Sequence, residues 1–247
     1  LVHVDEQAAF EAVERLREIV AWPVEAVTVS RDVTVEQAQR ASEAAGGDCL
    51  LIAATPTHWV EAGRNLLAAG FFPVACQLEL GLSLESGTGG DLEFPCRLAR
   101  RGDAERLMTT WLERWRRDPL LLDAKAPLKD DLGMDTWLGT TPPARRRIYL
   151  AENGGSVTWV AVAERAERLV CEDWGATGEK AESRLEDLIG CILARGRERG
   201  FERAEMHLTV DRGDDVNRAA ALGFRVWRSW MLYRRVHRVT SANGSSP

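Results

Sequence analysis

The sequence has no apolar run near the ~20 residues that a helix needs to cross a bilayer, and no excess of basic charge. Its 32 Lys and Arg stand against 38 Asp and Glu, a net charge of −6. That balance argues against both a membrane span and a nucleic-acid surface as the main business of the chain. No CxxC spacing occurs among the five cysteines, Cys49, Cys76, Cys96, Cys171 and Cys191. An odd, scattered set suits neither a disulfide framework nor a zinc knuckle, so all five are expected to be reduced core residues and no metal site is expected. The stretch Leu1 to Gln7 carries acidic rather than basic charge, so no secretory leader pattern is visible and a cytoplasmic protein is expected. Tyrosine occurs only twice, at Tyr149 and Tyr233.

What is present is the material of an ordinary globular protein. Hydrophobic residues make up 45% and charged residues 28% of 247, with nine tryptophans to fill a core. The length allows two modest domains. Composition shifts at Glu85–Asp91, a run of small and polar residues, and at Ser241–Pro247. These predict domains at 1–84 and 92–240, a linker at 85–91, and a disordered tail at 241–247.

In the first block, Phe10, Val13, Leu16, Ile19 and Val20 recur at helical spacing behind Asp5. A strand is expected at Val24–Val29. Thr34 with Gln37 three residues later forms a capping-box pattern for a helix that stops at Gly46–Gly47. A strand at Cys49–Ala54, a helix at His58–Ala69, a stop at Gly70 and a strand at Phe71–Leu82 complete an αβαβαβ order. In the second block, a strand at Phe94–Ala99 precedes a helix at Asp103–Arg117. A long irregular segment, 118–145, leads to three strands, Arg147–Glu152, Val157–Ala163 and Arg168–Trp174. Asn153-Gly154-Gly155 is a strong hairpin signal between the first two. A helix at Ser183–Arg199, a strand at Arg203–Val210, a helix at Asp215–Leu222 and a strand at Phe224–Val236 follow. Gly70-Phe71 and Gly223-Phe224 lie 153 residues apart, which suggests an internal repeat whose first copy lacks the three-stranded meander.

The second block resembles the GCN5-related N-acetyltransferase (GNAT) superfamily. "ARGRERGFERAEMHLTV" and "NRAAALGFRV" look like that family's third helix, fifth strand and fourth helix. The whole layout is similar to the dTDP-fucosamine acetyltransferase group, with a truncated GNAT-like first half ahead of a complete GNAT domain. The resemblance implies an α/β (α+β) fold with a mixed, mostly antiparallel central sheet flanked by helices. It implies acetyl-CoA as co-substrate and a small-molecule amine, such as a nucleotide-linked amino sugar, as acceptor. Neither nucleic acid nor membrane is expected as a partner, and a homodimer is compatible with the reading. The alternative is a catalytically silent GNAT-fold module that binds a ligand or a protein.

Residue by residue, the resemblance places Gly178, Lys180, Ser183 and Arg184 at the pyrophosphate-binding entrance of the third helix, with Trp174 beside them. Leu185 stands where the family has a small residue. Glu172 and Asp173, at the end of the fourth strand, are candidates to take the amine's proton, as is His207 on the fifth. Adjacent strand residues face opposite ways, so only one of the two carboxylates can face the cleft. Ala219 occupies the place of the family's usual tyrosine acid. Trp137 and Arg147 are candidates to contact the acceptor.

Overall fold

The computed structural model describes residues 4–45, 48–82, 96–118, 121, 125–132, 146–177, 184–209 and 213–236. The proposed linker at 85–91 and tail at 241–247 lie outside them. The chain divides into two compact units that are not contiguous in sequence. Unit 1 comprises Leu1–Val74, Asp123–Lys129 and Ser229–Pro247, and unit 2 comprises Ala75–Leu122 and Asp130–Arg228. Two of the boundaries, Val74/Ala75 and Arg228/Ser229, fall inside strands.

Unit 1 is built on helix α1 (Val4–Ile19), strand β1 (Val24–Val27), helix α2 (Val35–Ala44), strand β2 (Cys49–Pro56) and helix α3 (Val60–Ala68). The capping box forms as the sequence predicts. The Gln37 backbone N–H donates to Thr34 Oγ1 at 3.3 Å, and the Thr34 N–H donates to Gln37 Oε1 at 2.8 Å. β1 and β2 pair in parallel, and α1 packs on both. Every residue of β2 is buried, which is why its sequence is a continuous apolar run with no alternation. Part of the 118–145 segment also belongs here. The Ala21 N–H donates to the Pro127 carbonyl and the Lys129 N–H to that of Ile19, both at 2.9 Å.

Unit 2 has the sheet order β3-β8-β7-β6-β5-β4 over its described strands. These are β3 (Phe72–Gly81, in this unit from Ala75), β4 (Cys96–Leu98), β5 (Arg146–Asn153), β6 (Ser156–Arg165), β7 (Arg168–Thr177) and β8 (Arg203–Thr209). All neighbours are antiparallel except β7 and β8. The Gly154-Gly155 turn between β5 and β6 has φ of 57° and 86°, the left-handed pair that a two-residue hairpin needs and glycine supplies without strain. Helix α4 (Ala104–Arg116) covers one face of the sheet. Helices α5 (Leu185–Glu198) and α6 (Gly213–Ala221) cover the other through a core that includes Leu78, Leu169, Cys171, Leu188, Ile192 and Met206. The result is a mixed, mostly antiparallel sheet flanked by helices, as expected.

Each unit is completed by a strand from the other half of the sequence. β1-α2-β2-α3-β3 and β7-α5-β8-α6-β9 run through the same order, each with its first two strands parallel. Yet β9 (Arg225–Val236) pairs antiparallel with β2, residues Ser229–Val236 against Cys49–Pro56, while β3 pairs antiparallel with β8. The helix ends correspond in detail. The Phe71 N–H reaches the Leu66 carbonyl at 3.0 Å and the Phe224 N–H reaches that of Ala219 at 3.0 Å, with φ of 88° at Gly70 and 90° at Gly223.

One cysteine expectation is corrected. Cys96 on β4 and Cys191 on α5 are paired as a disulfide with their Cα atoms 7.2 Å apart, whereas Cys49, Cys76 and Cys171 are free and buried. A sequence separation of 95 hides a pair that only the docking of α5 on the sheet brings together.

Candidate functional site

Strand β7 carries an irregularity that shapes the site. Val162 of β6 pairs with Cys171, but its neighbour Ala161 pairs with Asp173, so Glu172 is an extra residue in β7. Such a bulge bends a strand and frees it from its neighbour. On the other side, β7 pairs with β8 only over Arg168–Cys171 against Arg203–Met206, although β7 continues to Thr177. From Asp173 onward its backbone is released from β8, and the two strands part.

The bulge is held by charge. Glu172, with 6% of its side chain exposed, is paired with Arg146 and accepts from Arg165 at 2.8 Å. Asp173 is fully buried. Its Oδ2 accepts from the indole N–H of Trp111 at 2.9 Å and of Trp115 at 3.2 Å, its Oδ1 pairs with Arg114, and the Trp174 N–H donates to Oδ1 at 3.1 Å. A buried carboxylate costs several kcal/mol unless its lone pairs are met; here α4 supplies two indoles and a guanidinium. Arg114 also donates to the Trp174 carbonyl at 2.6 Å and lies 4.6 Å over the Trp174 ring.

Where β7 leaves β8, a cavity of about 190 Å³ opens. The released strand forms one wall with Trp174, Gly175 and Ala176. A Cβ on Gly175 would come within 2.6 Å of the Trp159 ring, so only glycine lets the strand lie this close to β6. From the α4 side come Thr110, Glu113, Arg114 and Arg117, at the i, i+3, i+4 and i+7 positions of one helical face. From the opposite side come Leu185, at the start of α5, and the α6 pair Asp215 and Arg218, 3.7 Å apart. The cavity thus receives residues from both faces of the sheet, through the gap between the parted strands.

The sequence-derived candidates distribute unevenly around this cavity. Trp174 lines it, and Arg184 sits at the N-cap of α5 without a side-chain capping bond. Glu172 and Asp173 form the bulge and are both engaged by arginine. Of His207 the structure describes the backbone, opposite Gln77 in the β3–β8 ladder. Arg147 pairs at 2.9 Å with Glu164, which also binds Arg199. Gly178, Lys180, Ser183 and Trp137 lie outside the described residues. Leu185 is buried against the cavity, and Ala219 is a core residue 1% exposed. Burial lifts the Cys171 thiol to about 12, which leaves it protonated at neutral pH.

Sequence reasoning missed the α4 residues. Thr110, Glu113, Arg114 and Arg117 share one face of the helix, but nothing local in the sequence shows that its C-terminal turns end over a strand opening. Among the described residues there is no cluster of His, Cys, Asp and Glu able to hold a metal ion, and no helix long and apolar enough to cross a membrane.

No family model matches the sequence, and no curated protein matches it. Solved structures do. The chain is similar to a GCN5-related N-acetyltransferase from Sphaerobacter thermophilus, with 15% identity and a TM-score of 0.54, over 78% of this chain and 62% of that one. Further matches are an acetyltransferase of the GNAT family from Colwellia psychrerythraea (9% identity, TM-score 0.49, 82% and 72% of the two chains) and a tandem GNAT protein from the clavulanic acid biosynthesis pathway (12%, 0.48, 81% and 68%). The first of these likenesses, with the bulged β7 and its parting from β8, shows that this chain has the fold of the GCN5-related N-acetyltransferases.

Proposed function

We propose that unit 2 is an N-acyltransferase that passes the acetyl group of acetyl-CoA to a small-molecule amine. The observation that carries this reading is the parting of β7 from β8 at the Glu172 bulge, with a cavity at the opening. Past Trp174, whose own N–H and C=O are taken by Asp173 and Arg114, the released strand keeps β6 on one side but has no β8 partner on the other. The amide-bearing arm of acetyl-CoA can take the place that β8 abandons. In the reaction the amine nitrogen forms a bond to the thioester carbonyl carbon, the C–S bond breaks, and the amine proton and the CoA thiolate end as free thiol. Arg218 on one side and Arg114 on the other give the cavity cationic groups for phosphate or developing negative charge. Gly178, Lys180, Ser183 and Arg184 remain our proposed pyrophosphate contacts. We assign Asp173 and Glu172 to holding the bulge, because their lone pairs are taken up by indole and guanidinium donors. The matching helix ends 153 residues apart support reading the chain as a GNAT-like half followed by a complete GNAT unit.

The test is calorimetry of acetyl-CoA binding to the full chain, together with release of CoA thiol in the presence of a panel of amines and amino sugars. Binding and release are expected. Absence of both overturns the reading, and binding without release on any amine indicates a ligand-binding module.

A further inference from the structure

Two charged residues in the cavity are not occupied in holding the fold. Arg114 serves Asp173 and Trp174, and Arg218 stands beside Asp215. Arg117 and Glu113 differ. Both are exposed, and among the described residues neither side chain makes an ion pair or hydrogen bond. They lie one helical turn apart on α4, in the glutamate-first order that favours pairing in an isolated helix. Both line the cavity on the side opposite Leu185 and Asp215. Structural arginines of this unit show the contrast. Arg97 takes Asp103 with two bonds of 2.7 and 2.8 Å, and Arg199 takes Glu164 with two bonds.

From this juxtaposition we infer that the α4 side of the cleft selects acceptors that carry an oxyanion as well as the amine. Arg117 meets the oxyanion, and Glu113, about one turn away, meets the ammonium before its proton is lost. A guanidinium offers a planar fork that matches a carboxylate or a phosphate, and a carboxylate a turn away suits a cationic amine. Plain amines satisfy only half of the pair and leave Arg117 without a partner. Carboxylate and phosphate share the chemistry that Arg117 reads, so both are tested. The inference rests on the acyltransferase reading of the cavity for its consequence, but its recognition step can be measured alone.

The experiment compares matched acceptors with the full chain: β-alanine against its methyl ester, and glucosamine 6-phosphate against glucosamine. Each is measured by calorimetry without CoA and by CoA-thiol release with acetyl-CoA. At least one oxyanion-bearing member should bind or react with a Kd or KM at least about tenfold below its uncharged partner. R117A should erase that preference and leave the KM for acetyl-CoA unchanged, R117K should keep part of it, and E113Q should weaken both members of each pair. Calorimetric binding of an oxyanion-bearing amine that R117A abolishes upholds the inference even if no thiol is released. Equal behaviour within both pairs overturns it. So does an R117A enzyme whose KM rises for acetyl-CoA in place of the acceptor, which would assign Arg117 to the CoA phosphates.

Discussion

At the residue scale, unit 2 concentrates its electrostatics in a few nearly dry carboxylates. Asp103 accepts two bonds from Arg97 and the Arg100 N–H at 2.7 Å, and the Arg97 guanidinium holds its carboxyl down at about 2. A carboxyl depressed in the folded state stabilises above its unfolded pKa of 3.8 and loses that contribution as pH falls through about 2. Urea midpoints should therefore decline between pH 4 and pH 2, and D103N should lose about 1–2 kcal/mol at pH 7 while flattening this part of the decline. Asp173 is more demanding. D173A leaves Arg114 and two indoles without their acceptor and should cost about 3 kcal/mol or more in chemical unfolding. The sequence marks Glu172 and Asp173 as candidates to take the amine's proton, of which strand alternation lets only one face the cleft. What it lacked was their partners, because Arg146, Arg165, Trp111 and Trp115 are brought to them by strand pairing and helix docking, and no spacing rule encodes that.

At the element scale, the helices and turns were legible because their signals are local. Thr34 with Gln37, Gly154 with Gly155, and the Gly70 and Gly223 stops each act within a few residues, and each appears where the pattern placed it. The bulge was not legible, since an extra residue in a strand leaves no mark until the register of β6 is known. It can be probed through Gly175. G175A drives a Cβ into a rigid indole and should lower Tm. Combined with W159F, which removes the colliding ring atoms, it should destabilise by less than the sum of the two single changes. The disulfide was equally hidden. Thiol titration of the denatured, unreduced protein should count three free cysteines, rising to five after reduction; five before reduction would contradict the Cys96–Cys191 pair.

At the scale of the whole molecule, the order of elements disclosed the fold, and the composition did not disclose which strand completes which unit. A chain truncated after Arg228 should lose hydrogen-exchange protection along Cys49–Pro56, because β9 is the antiparallel neighbour of β2, while β5, β6 and β7 keep theirs. The exchange of β3 and β9 also bears on how the protein is made. A nascent chain that has emerged through Ala68 carries α1, β1, α2, β2 and α3, yet the strand that closes their sheet, β9, is synthesised only after β3 to β8. Until then β2 has an open edge, the kind of surface on which chaperones and misassembly compete. Completion of unit 1 thus waits on synthesis through β9, and any stop before Ser229 releases a polypeptide whose first unit cannot finish.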